Sequence, residues 1–178
     1  AVVKQGKNIA YYGGKREQTA KNVRVKARVK AEALREFIMA KDQVIVMGHR
    51  MADADSFGAA VGIYRAAKTM EKKAYIVLND ITSSVRPLYQ LFCESAAYPD
   101  DMFIRSADVP DIMTDNTMVV VVDTNKPEIT ECPELLRKAK TIVVFDHHRQ
   151  GSDVIENTIL SYIEPYASSA CEMVAEVL

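Results

Sequence analysis

A chain of 178 residues with 48% apolar side chains can bury one substantial core, and disorder as a global description is excluded. Its 23 basic and 24 acidic residues nearly cancel, which argues against a chain built wholly around a polyanion, and no apolar run approaches the roughly 20 residues that span a bilayer. Cys93, Cys132 and Cys171 form no C-x-x-C pair, so they fit neither a disulfide framework nor a cysteine zinc site and suit a reducing cytoplasm.

The first 14 residues read as two short strands, Val2 to Lys4 and Ile9 to Tyr12, turned at Gly6 and closed by Gly13-Gly14. A two-stranded hairpin is marginal alone, so residues 1–18 are expected to end a preceding domain whose remaining sheet lies elsewhere. Residues 15–35 hold eight Lys/Arg against Glu17 and Glu32, a net of +6, which together with Lys4 and Lys7 leaves −9 for residues 36–178. Within this basic stretch Val25, Val29, Ala33, Leu34, Phe37 and Ile38 make an apolar stripe at helical spacing. A linker helix is therefore predicted over 19–40 with its cations on a solvated face, in preference to nucleic-acid or acidic-lipid contact.

Residues 41–178 are read as the domain proper. Apolar, β-branched runs at Val44 to Met47, Ala74 to Leu78, Met118 to Val122 and Thr141 to Phe145 predict strands, with helices near 56–70, 84–95 and 133–138 between them. Short, continuously apolar strands alternating with helices imply an α/β fold with a parallel sheet covered on both faces. Toward the end, Ser169-x-x-Glu172 is a capping-box pattern that opens a helix through Met173, Val174 and Val177. The chain stops at Leu178 with no Gly or Asn cap, and with the hairpin at the other end this suggests a fragment cut at both ends.

In an open parallel sheet the functional crevice forms outside the carboxyl ends of the strands. After the first strand comes Gly48-His49-Arg50-Met51-Ala52-Asp53-Ala54-Asp55, after the third Asp123-Thr124-Asn125, and after the fourth Asp146-His147-His148-Arg149. All three histidines of the chain fall on these loops, together with four acids. Taken singly, Asp123 and Asp146 are ordinary turn formers, His49 a packed histidine and Asp55 a cap for a helix starting at Ser56. Taken together, three acidic loops at one sheet edge repel each other unless a cation neutralises them, so a metal centre is expected.

Imidazole and carboxylate without thiolate favour Mn2+ over Fe2+, Co2+, Mg2+ or Zn2+. Asp53 and Asp55, two residues apart, point in similar directions in an extended stretch and so address two neighbouring ions, with Asp123 bridging them from a central strand. Adjacent His147 and His148 cannot both face one point in an extended loop. One of them is expected on metal and the other at substrate, with Asp146 orienting an imidazole through its free N–H. Two octahedral ions offer about 12 positions, of which these side chains fill about half. The remainder is left for water, phosphate oxygens and ligands from other sequence, which is the layout of a two-metal hydrolase. Arg50 and Arg149 flank the motifs as candidate phosphate donors, and Asn79 follows the second strand as a candidate to line the same crevice.

These loops also resemble a known family. Val46-Met47-Gly48-His49-Arg50-Met51-Ala52-Asp53-Ala54-Asp55-Ser56-Phe57-Gly58-Ala59-Ala60 resembles the first motif of the DHH phosphoesterase superfamily. Asp146-His147-His148 is the motif that names that superfamily, and Val121-Val122-Asp123-Thr124-Asn125 resembles the motif between them. The likeness covers about residues 44–178. Within the superfamily, the lead-in Gly6-Lys7-Asn8-Ile9-Ala10-Tyr11-Tyr12-Gly13-Gly14-Lys15 with Val23-Arg24-Val25-Lys26-Ala27-Arg28-Val29 is similar to the junction between a degenerate GGDEF domain and the DHH domain in GdpP-type cyclic-di-AMP phosphodiesterases. Glu164-Pro165-Tyr166-Ala167-Ser168-Ser169-Ala170-Cys171-Glu172 is similar to their segment after the DHH motif.

The resemblance implies a Rossmann-like DHH domain on the cytoplasmic side of a membrane-anchored bacterial parent, with PAS and degenerate GGDEF domains before it and a substrate-binding DHH-associated domain after it. It implies a two-ion manganese site using His49, Asp53, Asp55, Asp123 and His147, with His148 close to substrate and a further Asp from beyond Leu178. The implied reaction is hydrolysis of one phosphodiester of cyclic di-AMP to pApA by a metal-bridging hydroxide held on Asp123. Expected partners are the cyclic dinucleotide and the associated domain of the same chain, with a homodimer left open and no stable nucleic-acid partner. Residues 1–178 alone are expected to bind Mn2+ loosely or at one of two sites, with little or no phosphodiesterase activity. The alternatives are a DHH nuclease acting on single strands or short oligoribonucleotides, a more distant pyrophosphatase or polyphosphatase, and a metal-binding signalling domain without activity.

Overall fold

Runs of valine, isoleucine and methionine without polar interruption become strands buried on both faces, and these form the centre of the computed structural model. It describes residues 2–5, 8–11 and 14–178, with side-chain surroundings from residue 27 onward. In chain order the elements are β1 (Val2–Gln5), β2 (Asn8–Tyr11), α1 (Gly14–Met39), β3 (Gln43–Met47), α2 (Ala54–Thr69), β4 (Lys73–Val77) and α3 (Arg86–Cys93). There follow β5 (Phe103–Ile104), α4 (Val109–Ile112), β6 (Thr117–Val122), α5 (Pro133–Lys138), β7 (Ile142–Asp146), β8 (Thr158–Ile163) and α6 (Ala170–Val177). β1 and β2 pair antiparallel, from Val2 opposite Tyr11 to Gln5 opposite Asn8. The turn expected at Gly6, and Tyr12 and Gly13, lie outside the described residues, as does the side chain of Val25; Gly14 opens α1 instead of closing the hairpin.

The other six strands form one sheet in the order β5-β4-β3-β6-β7-β8, and every neighbouring pair is parallel. Alternation along the strands divides the core. Val44, Val46, Val120, Val143 and Phe145 meet the layer of α1, α2 and α6, whereas Ile45, Met47, Val119, Val121 and Val144 meet Val109 of α4 and Leu135 of α5. The expected covering of both faces is therefore what forms. Two strands escape the sequence pattern for different reasons. β5 has only two residues, and β8 is an edge strand with alternating burial, so Ile159 is 43% exposed and no continuous apolar run marks it.

α1 contributes to this core. Among its described side chains Ala27, Leu34 and Ile38 are buried, with Ala31 and Phe37 packed against the same cluster, while Val29 is 63% exposed. The expected stripe therefore holds at Leu34, Phe37 and Ile38 and fails at Val29, since the helix settles on the residues that reach α6 and β8. Lys30 Nζ donates to the Ser161 carbonyl at 3.5 Å and Lys72 Nζ to the Met39 carbonyl at 2.9 Å. None of the described helices is long and apolar enough to cross a membrane.

The chain moves outward from β3 to β4 and β5, then returns to place β6 on the other side of β3. Loops leaving β3 and β6 therefore diverge, and a crevice opens between their carboxyl ends. Because Ile38 is fully buried in this arrangement, Ile38→Ala is expected to cost about 2–5 kcal/mol in urea unfolding. Val29→Ala, on the exposed face, is expected to stay within about 0.5 kcal/mol of the parent.

Candidate metal centre

The loop after β3 begins at Gly48, where an added Cβ would stand 1.9 Å from Ser56 Oγ and would force that hydroxyl aside. His49 follows and is held by the main chain: Glu131 N–H donates to the Gly48 carbonyl (2.9 Å), Arg50 N–H donates to the Ile129 carbonyl (2.8 Å), and His49 bridges Thr130 antiparallel. Asp53 then caps α2, its Oδ1 accepting the Asp55 and Ser56 N–H groups at 3.0 Å each. The expected extended stretch from Asp53 to Asp55 is therefore replaced by a helix start, because the Asp53 carboxylate satisfies the first free amides. The two acids end beside different histidines. Asp53 Oδ1 is 3.9 Å from His49 Nε2, and Asp55 Oδ2 is 3.5 Å from His147 Nε2. Asp55 does not cap α2; its two oxygens accept the N–H groups of Ala170 (2.8 Å) and Cys171 (2.7 Å) at the start of α6.

Asp123 directly follows β6 with φ of 60°, the left-handed region that Asp tolerates better than most residues, and its N–H donates to the Phe145 carbonyl at 2.8 Å. It is only 2% exposed. Its Oδ2 lies 3.4 Å from His49 Nε2, and its Oδ1 lies 3.3 Å from His147 Nε2 and 3.8 Å from His148 Nδ1. Oδ1 is buried without a hydrogen-bond partner. Leaving a buried charged acceptor unmatched costs roughly 1–3 kcal/mol or more, and a cation among these atoms removes the deficit. Two groups of potential ligand atoms each gather within 4.8 Å: His49, Asp53 and Asp123, and Asp123, His147 and His148. The donor set fits a divalent cation, and Asp123 belongs to both groups.

Asp146, at the end of β7, is fully buried. Its Oδ1 accepts the His148 N–H at 3.2 Å and lies 2.7 Å from His148 Nδ1, while Oδ2 accepts from Asn125 Nδ2. These bonds bend the loop, so the expectation of an extended His147-His148 pair fails. Both rings face Asp123, with centroids 4.4 Å apart. The imidazole that Asp146 holds is His148, which leaves its Nε2 as the free nitrogen.

A cavity of about 720 Å3 opens over these groups, and Lys126 and Arg149 also line it. Arg50 and Asn79 do not. The Arg50 guanidinium donates to the Glu128 carbonyl, and Asn79 Nδ2 donates to the Glu131 carbonyl (2.9 Å) and Oε2 (2.6 Å) while its Oδ1 accepts the Ser106 N–H. Lys126 is legible after the fact as the residue following Asp123-Thr124-Asn125. Glu131 carries no local signal, since only the pairing of 129–131 with 48–50 brings it behind His49.

The charges perturb one another. A hydrogen bond to Asp123 holds the His49 imidazole above its ordinary value, against desolvation and with help from the Asp123, Asp53 and Glu131 charges. Burial raises Glu131, opposed by its hydrogen bonds from Asn79. Burial and the neighbouring Asp55 push the Cys171 thiol up to about 11.

The family model for the DHH family, N-terminal domain, matches residues 43–178. The cyclic-di-AMP phosphodiesterase GdpP of Bacillus subtilis is 41% identical over 174 residues, covering 96% of this chain and 26% of that protein. The cyclic-di-AMP phosphodiesterase PdeA of Listeria monocytogenes is 39% identical over 181 residues, covering 99% and 27% respectively. This chain thus spans about a quarter of the length of those relatives. Among solved structures, an exopolyphosphatase-related protein from Bacteroides fragilis shares the fold at a TM-score of 0.62 and 14% identity, over 83% of this chain and 42% of that one. With histidines and aspartates converging from the ends of β3, β6 and β7 and the family match running through all three loops, the chain belongs to the DHH family.

Proposed function

We propose that this chain is the metal-binding domain of a phosphodiesterase that hydrolyses one phosphodiester of cyclic di-AMP to give pApA. The observation that carries the reading is Asp123, whose two oxygens face separate histidines at 3.4 and 3.3 Å. The relatives named for cyclic di-AMP, at 41% and 39% identity, support the choice of substrate. His49, Asp53 and Asp123 Oδ2 would hold one cation and Asp55, His147 and Asp123 Oδ1 the other, with Mn2+ favoured by carboxylate and imidazole donors. A bound pair supplies an activated water and stabilises charge at phosphorus.

The protein's own groups do the rest. Asp123 sets the separation of the two positions. His148, pinned through Nδ1 to Asp146, presents Nε2 to the cavity, where it can hold a proton beside a phosphate or leaving oxygen. Lys126 and Arg149 make no side-chain ion pair or hydrogen bond among the described residues, so both are free to take phosphate oxygens, Arg149 through paired donors. We place the domain in a membrane-anchored bacterial protein, on its cytoplasmic side, working with a DHH-associated domain. Full turnover is assigned to the full-length protein and little or none to residues 1–178 alone.

Asp123→Ala in the full-length protein is expected to abolish binding of both Mn2+ ions in a calorimetric titration; two ions still bound would overturn its bridging role. In a Mn2+-dependent assay with cyclic di-AMP, pApA and a short RNA, the expected outcome is pApA from the cyclic substrate. Cleavage of the RNA with cyclic di-AMP left intact would replace this reading by a nuclease. Lys126→Ala and Arg149→Gln are each expected to raise KM for cyclic di-AMP about tenfold with the metal isotherm unchanged, as loss of a charge-assisted hydrogen bond requires.

A further inference from the structure

We infer that α6 is a positioning element of the metal centre: the backbone amides of Ala170 and Cys171 set the Asp55 carboxylate, and Gly58 and Gly62 of α2 let α6 approach closely enough to do so. The inference rests on reading the cluster as a two-cation centre.

The first amides of a helix have no partner within it. In α6 the Ser169 side chain accepts the Glu172 N–H at 3.0 Å, and Glu172 Oε2 turns back to accept the Ser168 N–H at 2.9 Å. That leaves the Ala170 and Cys171 amides, and both are taken by Asp55, with one carboxylate oxygen each at 2.8 and 2.7 Å. The Cys171 thiol also donates to the Asp55 carbonyl at 3.4 Å. Two donors on two oxygens fix the plane of the carboxylate, and the positive end of α6 favours its charge there. The unused lone pairs remain for the position beside His147, whose Nε2 is 3.5 Å from Oδ2. Asp53, at the other position, depends only on amides of its own helix. The two cation positions are thus supported differently.

What brings α6 there is the surface of α2. A Cβ at Gly58 would stand 2.5 Å from Cys171 Sγ, and one at Gly62 would stand 2.7 Å from Val174 Cγ1. Residues four apart on α2 thus meet residues three apart on α6, and bare backbone at both contacts lets the helices close. Asp55 lies one turn before Gly58, so this closeness sets the α6 amides on its side chain. Loosening the contact leaves Asp55 to rotate, and the His147-side ion loses a pre-oriented ligand while the His49-side ion does not.

The test uses the full-length protein, Mn2+ as the probe and electron paramagnetic resonance of free Mn2+ to read the isotherm. Gly58→Ala is expected to weaken one site about tenfold and leave the other within about twofold. The weakened site should be the one that His147→Ala removes. Gly58→Ala combined with Cys171→Ala, which removes the obstructing sulfur and keeps the amide, is expected to recover most of the affinity. Should Gly58→Ala not fold, Gly62→Ala with and without Val174→Ala asks the same question one turn further away. Equal weakening at both sites, an unchanged isotherm alongside a lowered Tm, tighter binding, or no recovery in the double variant would each overturn the inference. Absence of Mn2+ binding in the parent protein would instead overturn the metal-centre reading on which it rests.

Discussion

The carboxylate of Asp123 lies inside the protein with one oxygen unmatched, and the rest of the site is arranged around it. A charge in that position is unfavourable unless something positive stands beside it. Three imidazoles approach it from two loops, and three further carboxylates, Asp53, Asp55 and Asp146, stand against those imidazoles. Histidines alone do not offset four acids, and the donor set suits a divalent cation; the left-handed backbone at Asp123 aims its side chain among them.

The sheet makes such an arrangement rigid. β3, β6 and β7 are buried along their whole length, so the residues that leave their ends start from fixed points. The reversal of direction between β3 and β6 opens the space into which those residues project. Each loop is then tied by its own polar bond: Asp53 to the first amides of α2, Asp146 to His148, and residues 48–50 to 129–131. Two helices outside the expected metal-binding loops, α1 and α6, also matter, since they fill the same core layer as α2.

Much of this was open to reading along the chain. Continuous β-branched runs marked the four inner strands because burial on both faces leaves no room for polar residues. The three polar loops stood out because His and Asp follow directly on those runs. The orientation of the loops was less accessible. His147 and His148 were expected to diverge, yet the Asp146 carboxylate folds the loop and turns both toward Asp123. Arg50 and Asn79 are candidates for the substrate crevice, yet neither lines the cavity: the Arg50 guanidinium donates to the Glu128 carbonyl and Asn79 Nδ2 to the Glu131 carbonyl and carboxylate.

The amino-acid sequence by itself determined the α/β character, the strands that carry the site and the residue types that make it a candidate metal centre, because these follow from local periodicity and from chemistry at strand ends. Tertiary structure alone decided which way each side chain faces. Asp55 points where it does because of amides 115 and 116 residues further along, and α1 buries Ala27 instead of Val29 because of where α6 and β8 lie. Such contacts depend on the packing of distant elements, and no local spacing encodes them.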